Sequence, residues 1–177
     1  MRRLLLFRHA KATRSGRGVE DRPRALVDRG RKDSATIGAY LAADALVPDR
    51  VLVSPAVRTQ ETWKFTSPEF RTVIEDHLVE ELYDATPEVI MAVIKQTPTS
   101  VHSLMVIAHN PGLHELALML VASGNAKARA RLKEKLPTAG LAIIDFAFDD
   151  WPELRPESGR LERYVTPKLL SARYDRR

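Results

Sequence analysis

Short apolar runs alternate with helix-forming stretches along this chain, and that alternation limits the folds open to it. Leu4-Leu5-Leu6-Phe7, Val51-Leu52-Val53 and Leu104-Met105-Val106-Ile107-Ala108 are apolar without interruption. That is the pattern of short strands buried on both faces of a parallel sheet, rather than of strands with one wet face. Between them the spacing predicts helices. One runs from Asp28, read as its cap, to about Ala45, with Ile37, Tyr40, Leu41 and Ala45 on one face. A second begins at Ser54-Pro55, with Ser54 as N-cap and Pro55 in the first turn, and ends near Phe65. A third starts at Thr86-Pro87-Glu88 and buries Val89, Ile90, Val93 and Ile94. Two more are expected over 113–122 and 126–136. Further strands are expected over 71–75, 141–148 and, as an edge, 161–165, with a short helix after Pro167. Strands alternating with helices give an α/β fold, a three-layer α/β/α sandwich around a mostly parallel central sheet. No repeat or linker divides the chain, so residues 1–177 read as one domain.

Composition narrows the class further. The chain has 177 residues, 44% hydrophobic and 29% charged, and no cysteine. Thiolate metal sites and cysteine nucleophiles are thereby excluded. No apolar run approaches the length of a membrane span. The run after Met1-Arg2-Arg3 stops at Phe7 with no small-residue cleavage site, so the chain reads as cytoplasmic with no membrane partner. Lysine and arginine outnumber aspartate and glutamate by 28 to 23, a net charge of +5. That balance favours acidic partners such as phosphorylated proteins or metabolites. The densest basic stretch, Lys127 to Lys135, has the spacing of a solvated helix face, and no nucleic-acid partner is expected.

The three buried strands end in residues suited to phosphate chemistry. The first runs into Arg8-His9, the second into Ser54-Pro55 with Arg58 just beyond, and the third into His109. Parallel strands place their carboxyl ends on one sheet edge, where ligands of open α/β sheets bind. Arginine grips phosphate oxygens through two parallel hydrogen bonds. An unprotonated imidazole can attack phosphorus and carry the phosphoryl group. The free amides and dipole at the helix start near Pro55 favour an anion as well.

In this order and spacing the motifs resemble the histidine phosphatase superfamily, the phosphoglycerate mutase-like group. The matching residues are Arg8-His9, the Leu26 to Gly30 stretch, Ser54-Pro55-x-x-Arg58 and His109. Within that group the chain is most similar to the SixA-like branch of phosphohistidine phosphatases. Arg8-His9-Ala10-Lys11-Ala12, Arg24-x-Leu26, Leu82-Tyr83, His109-Asn110-Pro111-Gly112 and Leu136-Pro137-Thr138-Ala139 carry that likeness. Val27 stands where the superfamily usually has threonine, and Ala10 where it usually has glycine. The resemblance implies a phosphatase with His9 as nucleophile, no metal and no cofactor. Arg8, Arg58 and a cationic His109 would surround the equatorial oxygens. Arg24 and Asn110 would bind phosphate or substrate, with Arg22 as rival to Arg24. The implied proton donor falls at Glu80, in Leu78-Val79-Glu80, with Glu81 as its rival. Both are equally readable as solvated loop carboxylates.

The implied substrate is a phosphorylated molecule, with phosphohistidine in a protein favoured. A small phosphomonoester, a mutase reaction, or binding of phosphoproteins without turnover are the alternatives. The remaining histidines, His77, His102 and His114, read as surface or supporting groups. His109 and His114 are five apart, which does not set a zinc pair on one helix face. Trp63, Phe65 and Trp151 read as packing. Tyr83 suits either the core or the mouth of the site.

Overall fold

The computed structural model describes residues 1–174. Seven strands form one sheet in the order β3-β2-β4-β1-β6-β7-β5. They are β1 (Arg2–Arg8), β2 (Arg50–Val53), β3 (Glu75–Leu78), β4 (Ser103–Ala108), β5 (Val121–Gly124), β6 (Leu141–Phe146) and β7 (Gly159–Val165). β1, β2, β3 and β4 pair in parallel, and β6 alone runs against its neighbours β1 and β7. Among the described residues six α-helices cover the sheet: α1 (Asp28–Ala43), α2 (Val57–Thr66), α3 (Pro87–Lys95), α4 (Gly112–Leu120), α5 (Ala126–Glu134) and α6 (Pro167–Tyr174). This is the three-layer α/β/α sandwich that the alternation predicts.

The two faces of the sheet divide the apolar residues by the period of two inherent to a strand. Leu4, Leu6, Leu104, Val106, Ala142 and Ile144 point to one side, against Ile90 and Ile94 of α3 and Leu113, Leu116 and Leu120 of α4. Leu5, Phe7, Met105, Ile107, Leu141 and Ile143 point to the other, against Ile37 and Leu41 of α1, Trp63 of α2 and Leu170 of α6. Every one of these strand residues is completely buried. Each buried large side chain is worth about 1.5–3 kcal/mol relative to exposure, which keeps the central strands fixed under the site they carry. Trp151 joins the first layer, and its indole N–H donates to Val101 O at 2.8 Å.

Several expected boundaries move. The strand expected over 71–75 lies at Glu75–Leu78, an exposed four-residue edge held by parallel pairing to β2. Residues 161–165 lie inside the sheet, since β7 pairs with β6 on one side and β5 on the other. The true edge there is β5, whose first residues the sequence reading placed in a helix. Helix α2 starts at Val57, two residues after Pro55, and its N-cap is Ala56 rather than Ser54. Helix α1 takes Val27 as N-cap, with Asp28 in the first turn and no side-chain cap. Thr86 does cap α3, its hydroxyl accepting from the Val89 amide.

The register sets the site. Arg8 lies level with Ala108 in the β1–β4 ladder, and Val53 with Ile107 in the β2–β4 ladder. Backbone bonds continue past the strand ends, from His9 N to Ala108 O at 3.2 Å and from Ser54 N to Ile107 O at 3.0 Å. His9, Ser54 and His109 therefore leave the sheet side by side.

Candidate active site

A cavity of about 630 Å³ opens at the carboxyl ends of β1, β2 and β4. Arg8, His9, Arg24, Arg58, His109 and Asn110 all line it. The rings of His9 and His109 lie 5.3 Å apart between centroids, tilted by 55°.

His9 Nδ1 lies 2.8 Å from Ala10 O. A carbonyl oxygen only accepts, so Nδ1 carries the proton and Nε2 keeps its lone pair. Burial, with the Arg58 charge adding to it, pushes the His9 pKa down to about 4. The Ala10 amide is pinned by Thr62 Oγ1 of α2 at 2.9 Å, and that hydroxyl donates to Arg58 O. One threonine thus links the segment after His9 to the arginine-bearing helix.

Arg58 Nη2 approaches His109 Nδ1 at 3.2 Å, and Ser54 Oγ lies 2.7 Å from His109 Nε2. Since the guanidinium can only donate, Nδ1 is the acceptor and the ring proton sits on Nε2, directed at Ser54. Burial and then Arg58 push the His109 pKa down to about 3. The ring is neutral in the ligand-free protein, where the sequence reading took it as a cation. Ser54, expected to cap α2, spends its hydroxyl on this imidazole instead.

The arginines are held by the backbone. Arg8 Nη1 donates to Leu136 O at 3.0 Å, and Asn110 Nδ2 donates to the same oxygen at 2.8 Å. Burial lowers the Arg8 pKa. Among the described residues, the Nε atoms of Arg8 and Arg58 and the Oδ1 atom of Asn110 have no hydrogen-bond partner. Arg24 donates from Nη1 to Thr13 O at 2.7 Å.

Asp21 is the residue that sequence reasoning passed over. Its carboxylate accepts from Arg58 Nη2 at 3.0 Å, from Arg24 Nε at 3.0 Å and from the Tyr83 hydroxyl, while its carbonyl accepts from Arg58 Nη1 at 2.9 Å. The Tyr83 hydroxyl, then Arg24 and Arg58, hold this carboxyl well below the usual range against the opposing effect of partial burial. The available signal was an acid three residues before Arg24, a residue already singled out. Lys11, Ser15, Tyr83, Asp84 and Thr138 also line the cavity. Tyr83 is therefore a mouth residue, edge-on to His109 at 5.7 Å.

Glu80 and Glu81 lie on the single turn Glu80–Leu82 after β3, and neither lines the cavity. Glu80 is exposed and pairs with Arg22, whose guanidinium lies 4.3 Å above the Tyr83 ring. Arg22 is thus a rim group, and Arg24 the one that enters the cavity. His77 pairs with Glu75 at the exposed edge, and His114 Nε2 donates to Leu132 O at 2.6 Å, joining α4 to α5. Among the described residues, no three histidine, aspartate or glutamate side chains group as metal ligands. No helix among them is long and apolar enough to cross a membrane.

No family model matches the chain. An uncharacterised protein of Mycobacterium leprae is 31% identical over 167 residues, covering 92% of this chain and all of the relative. Among solved structures, one assigned as the phosphohistidine phosphatase SixA of Agrobacterium tumefaciens is 28% identical with a TM-score of 0.76, covering 94% of this chain and 98% of that one. The chain has the fold of the histidine phosphatase superfamily and is similar to its SixA-like members. A structure assigned as SixA of Nakamurella multipartitia shares the fold at a TM-score of 0.81 and 23% identity, covering 94% and 96% of the two chains. The cavity thus gathers a neutral imidazole with a free Nε2, a second imidazole beside it and converging arginines, groups that can bind an anion.

Proposed function

We propose that this protein is a metal-independent phosphatase that removes the phosphoryl group from histidine in proteins. The carrying observation is the state of His9: its Nδ1 proton is committed to Ala10 O, which leaves the Nε2 lone pair for phosphorus. In the first step Nε2 attacks, the P–N bond to the substrate imidazole breaks, and that imidazole leaves with the electron pair. Arg8, Arg24 and Arg58 donate to the equatorial oxygens, where charge is spread in the transition state. In the second step water attacks the phosphohistidine on His9. The His9–phosphorus bond breaks, and orthophosphate takes the oxygen and leaves.

The carboxylates favour a P–N substrate over a P–O one. An alkoxide needs a proton as it leaves, whereas an imidazole already protonated on its other nitrogen departs neutral. Asp21 is held ionised by Tyr83 and two arginines, and Glu80 is bound to Arg22 outside the cavity. Asp84 lies exposed at the rim. A phosphohistidine needs none of them as an acid.

The test is kcat/KM for a phosphohistidine peptide and an alkyl phosphate, with wild type and Glu80→Gln. The wild type is expected to prefer the peptide, and Glu80→Gln to change cleavage of either substrate by less than about twofold. A wild-type preference for the alkyl phosphate would move the assignment to a small phosphomonoester. Equal losses on both substrates would make Glu80 a positioning group.

A further inference from the structure

A second cavity, of about 570 Å³, continues from the catalytic one, with Lys11 and Thr138 in the walls of both. Lys11, Arg29, Arg131, Lys135 and Lys168 line it against two carboxylates, Asp33 and Glu134. These cations come from separate parts of the chain: the loop after β1, helix α1, the end of α5 and the segment after it, and α6. Arg29 pairs with Asp33 at 3.7 Å. Among the described residues, Lys11, Arg131, Lys135 and Lys168 form no ion pair. A cation at the C-terminal end of a helix is explained by the helix dipole, and this covers Arg131. It does not cover Lys11 or Lys168, which converge on the same trench from elsewhere.

We propose, resting on the phosphohistidine reading above, that this trench docks an acidic polypeptide segment flanking the phosphohistidine of a substrate protein. Lys11 stands where the catalytic cavity passes into the trench, so a chain whose phosphohistidine reaches His9 can lay its neighbouring residues along Lys135, Arg131 and Lys168. Pro137, Pro167 and Leu169 give the trench an apolar floor that suits a peptide backbone and side-chain stems. Spaced carboxylates fit the wall charges, because Asp33 and Glu134 interrupt the positive surface. A nucleic-acid strand fits less well. Its binding sites combine an unbroken basic groove with stacking aromatics, and the one aromatic here, Tyr164, has its hydroxyl bound to Lys135 O at 2.9 Å.

The experiment uses two synthetic peptides with one phosphohistidine each, one carrying a run of glutamates on one side and the other glutamines in the same places. Binding is read by fluorescence anisotropy on the full chain carrying His9→Ala, which holds the phosphopeptide without turnover. The glutamate peptide is expected to bind about tenfold more tightly, with a preference that fades as salt rises. Arg131→Gln, Lys135→Gln and Lys168→Gln together are expected to erase the preference. The same triple substitution with His9 intact is expected to leave phosphoramidate hydrolysis unchanged. Should the triple variant fold poorly, Lys135→Gln and Lys168→Gln, at exposed positions, are each expected to remove part of the preference. Equal affinity for the two peptides, a preference that survives the substitutions, or displacement of the peptide by lower concentrations of polyuridylate would overturn the proposal. Peptides that bind with the expected preference but are not hydrolysed by the wild type would sink the phosphohistidine reading and leave the docking surface standing.

Discussion

Acidification perturbs His9, the proposed nucleophile, directly, and the structure sets where it acts. Burial is the first cause that lowers the His9 pKa from 6.5 to about 4, followed among the lowering effects by Arg58, Arg8 and Arg24. At pH 5.5 a pKa of about 4 leaves about 97% of His9 unprotonated, whereas an ordinary 6.5 would leave about 9%. The assay is kcat/KM on an aryl phosphate from pH 3 to 8 at constant ionic strength, corrected for the substrate's own ionisation. Its acid limb is expected near pH 4, and the rate at pH 5.5 within a few per cent of the plateau. A limb at 6 to 6.5 would refute the reasoning, because it would mean that the site solvates the imidazolium. The same shift enters stability with a definite sign. The fold disfavours the charged ring, so the unfolded chain binds a proton at higher pH than the native one. Stability is full above pH 6.5 and is lost as pH falls from 6.5 to about 4. The difference of about 2.5 units corresponds to roughly 3 kcal/mol for His9 at the low end. Denaturant midpoints at pH 7 and pH 4 measure it. His9→Gln should flatten that part of the profile.

Two further outcomes follow from the same geometry. His9→Ala is expected to abolish turnover and any covalent phosphoenzyme, and Arg8→Ala, Arg58→Ala and His109→Ala each to lower kcat by about 100-fold or more; rapid-quench trapping of an acid-labile, base-stable adduct on the wild type checks the first, and steady-state kinetics the second. A Cβ at Gly30 would meet the backbone oxygen of Lys11 at 2.1 Å, while at Gly16 it would meet nothing within 4 Å; Gly30→Ala is therefore expected to cost about 1–3 kcal/mol, a fall in Tm of several degrees, and Gly16→Ala about none, by thermal denaturation.

The strands that hold the site are legible in the sequence for a physical reason. A central strand buried on both faces must be apolar at consecutive positions, so 4–7 and 104–108 announce themselves. The edges carry no such requirement. Glu75–Leu78 is exposed at every position, and only its ladder to β2 makes it a strand. Val121–Gly124 follows an apolar helix without a break in composition, and its pairing with β7 is a tertiary fact. Gly124, at φ 126° and placed where a Cβ would meet Leu161 O at 2.4 Å, is the one local sign that the chain has left the helix. Ser54-Pro55 misled for a different reason: the cap reading assumes a free hydroxyl, and this one faces His109.

The candidate site divides along the same line. Arg8, His9 and His109 are legible because each follows a buried strand directly, and Arg58 because it follows one by a fixed short turn. Asp21 sits in a loop with no periodicity, and nothing local ties it to residues 37 positions away. Charge balance is what calls for it. Arg8, Arg24 and Arg58 share one cavity, and cations gathered in a partly desolvated pocket raise each other's cost unless something compensates. The neutral state of both imidazoles removes two further charges, and the Asp21 carboxylate offsets one of the three that remain. Asp21 and Asp84 against three arginines and Lys11 still leave the cavity cationic. That surplus matches a phosphoryl dianion, which on entering meets the arginines that Asp21 already contacts. On the proposed function, its negative charge would favour the imidazolium form of His109, since an opposite charge stabilises the charged ring. On the same reading, the cationic His109 expected from sequence would belong to the occupied site alone.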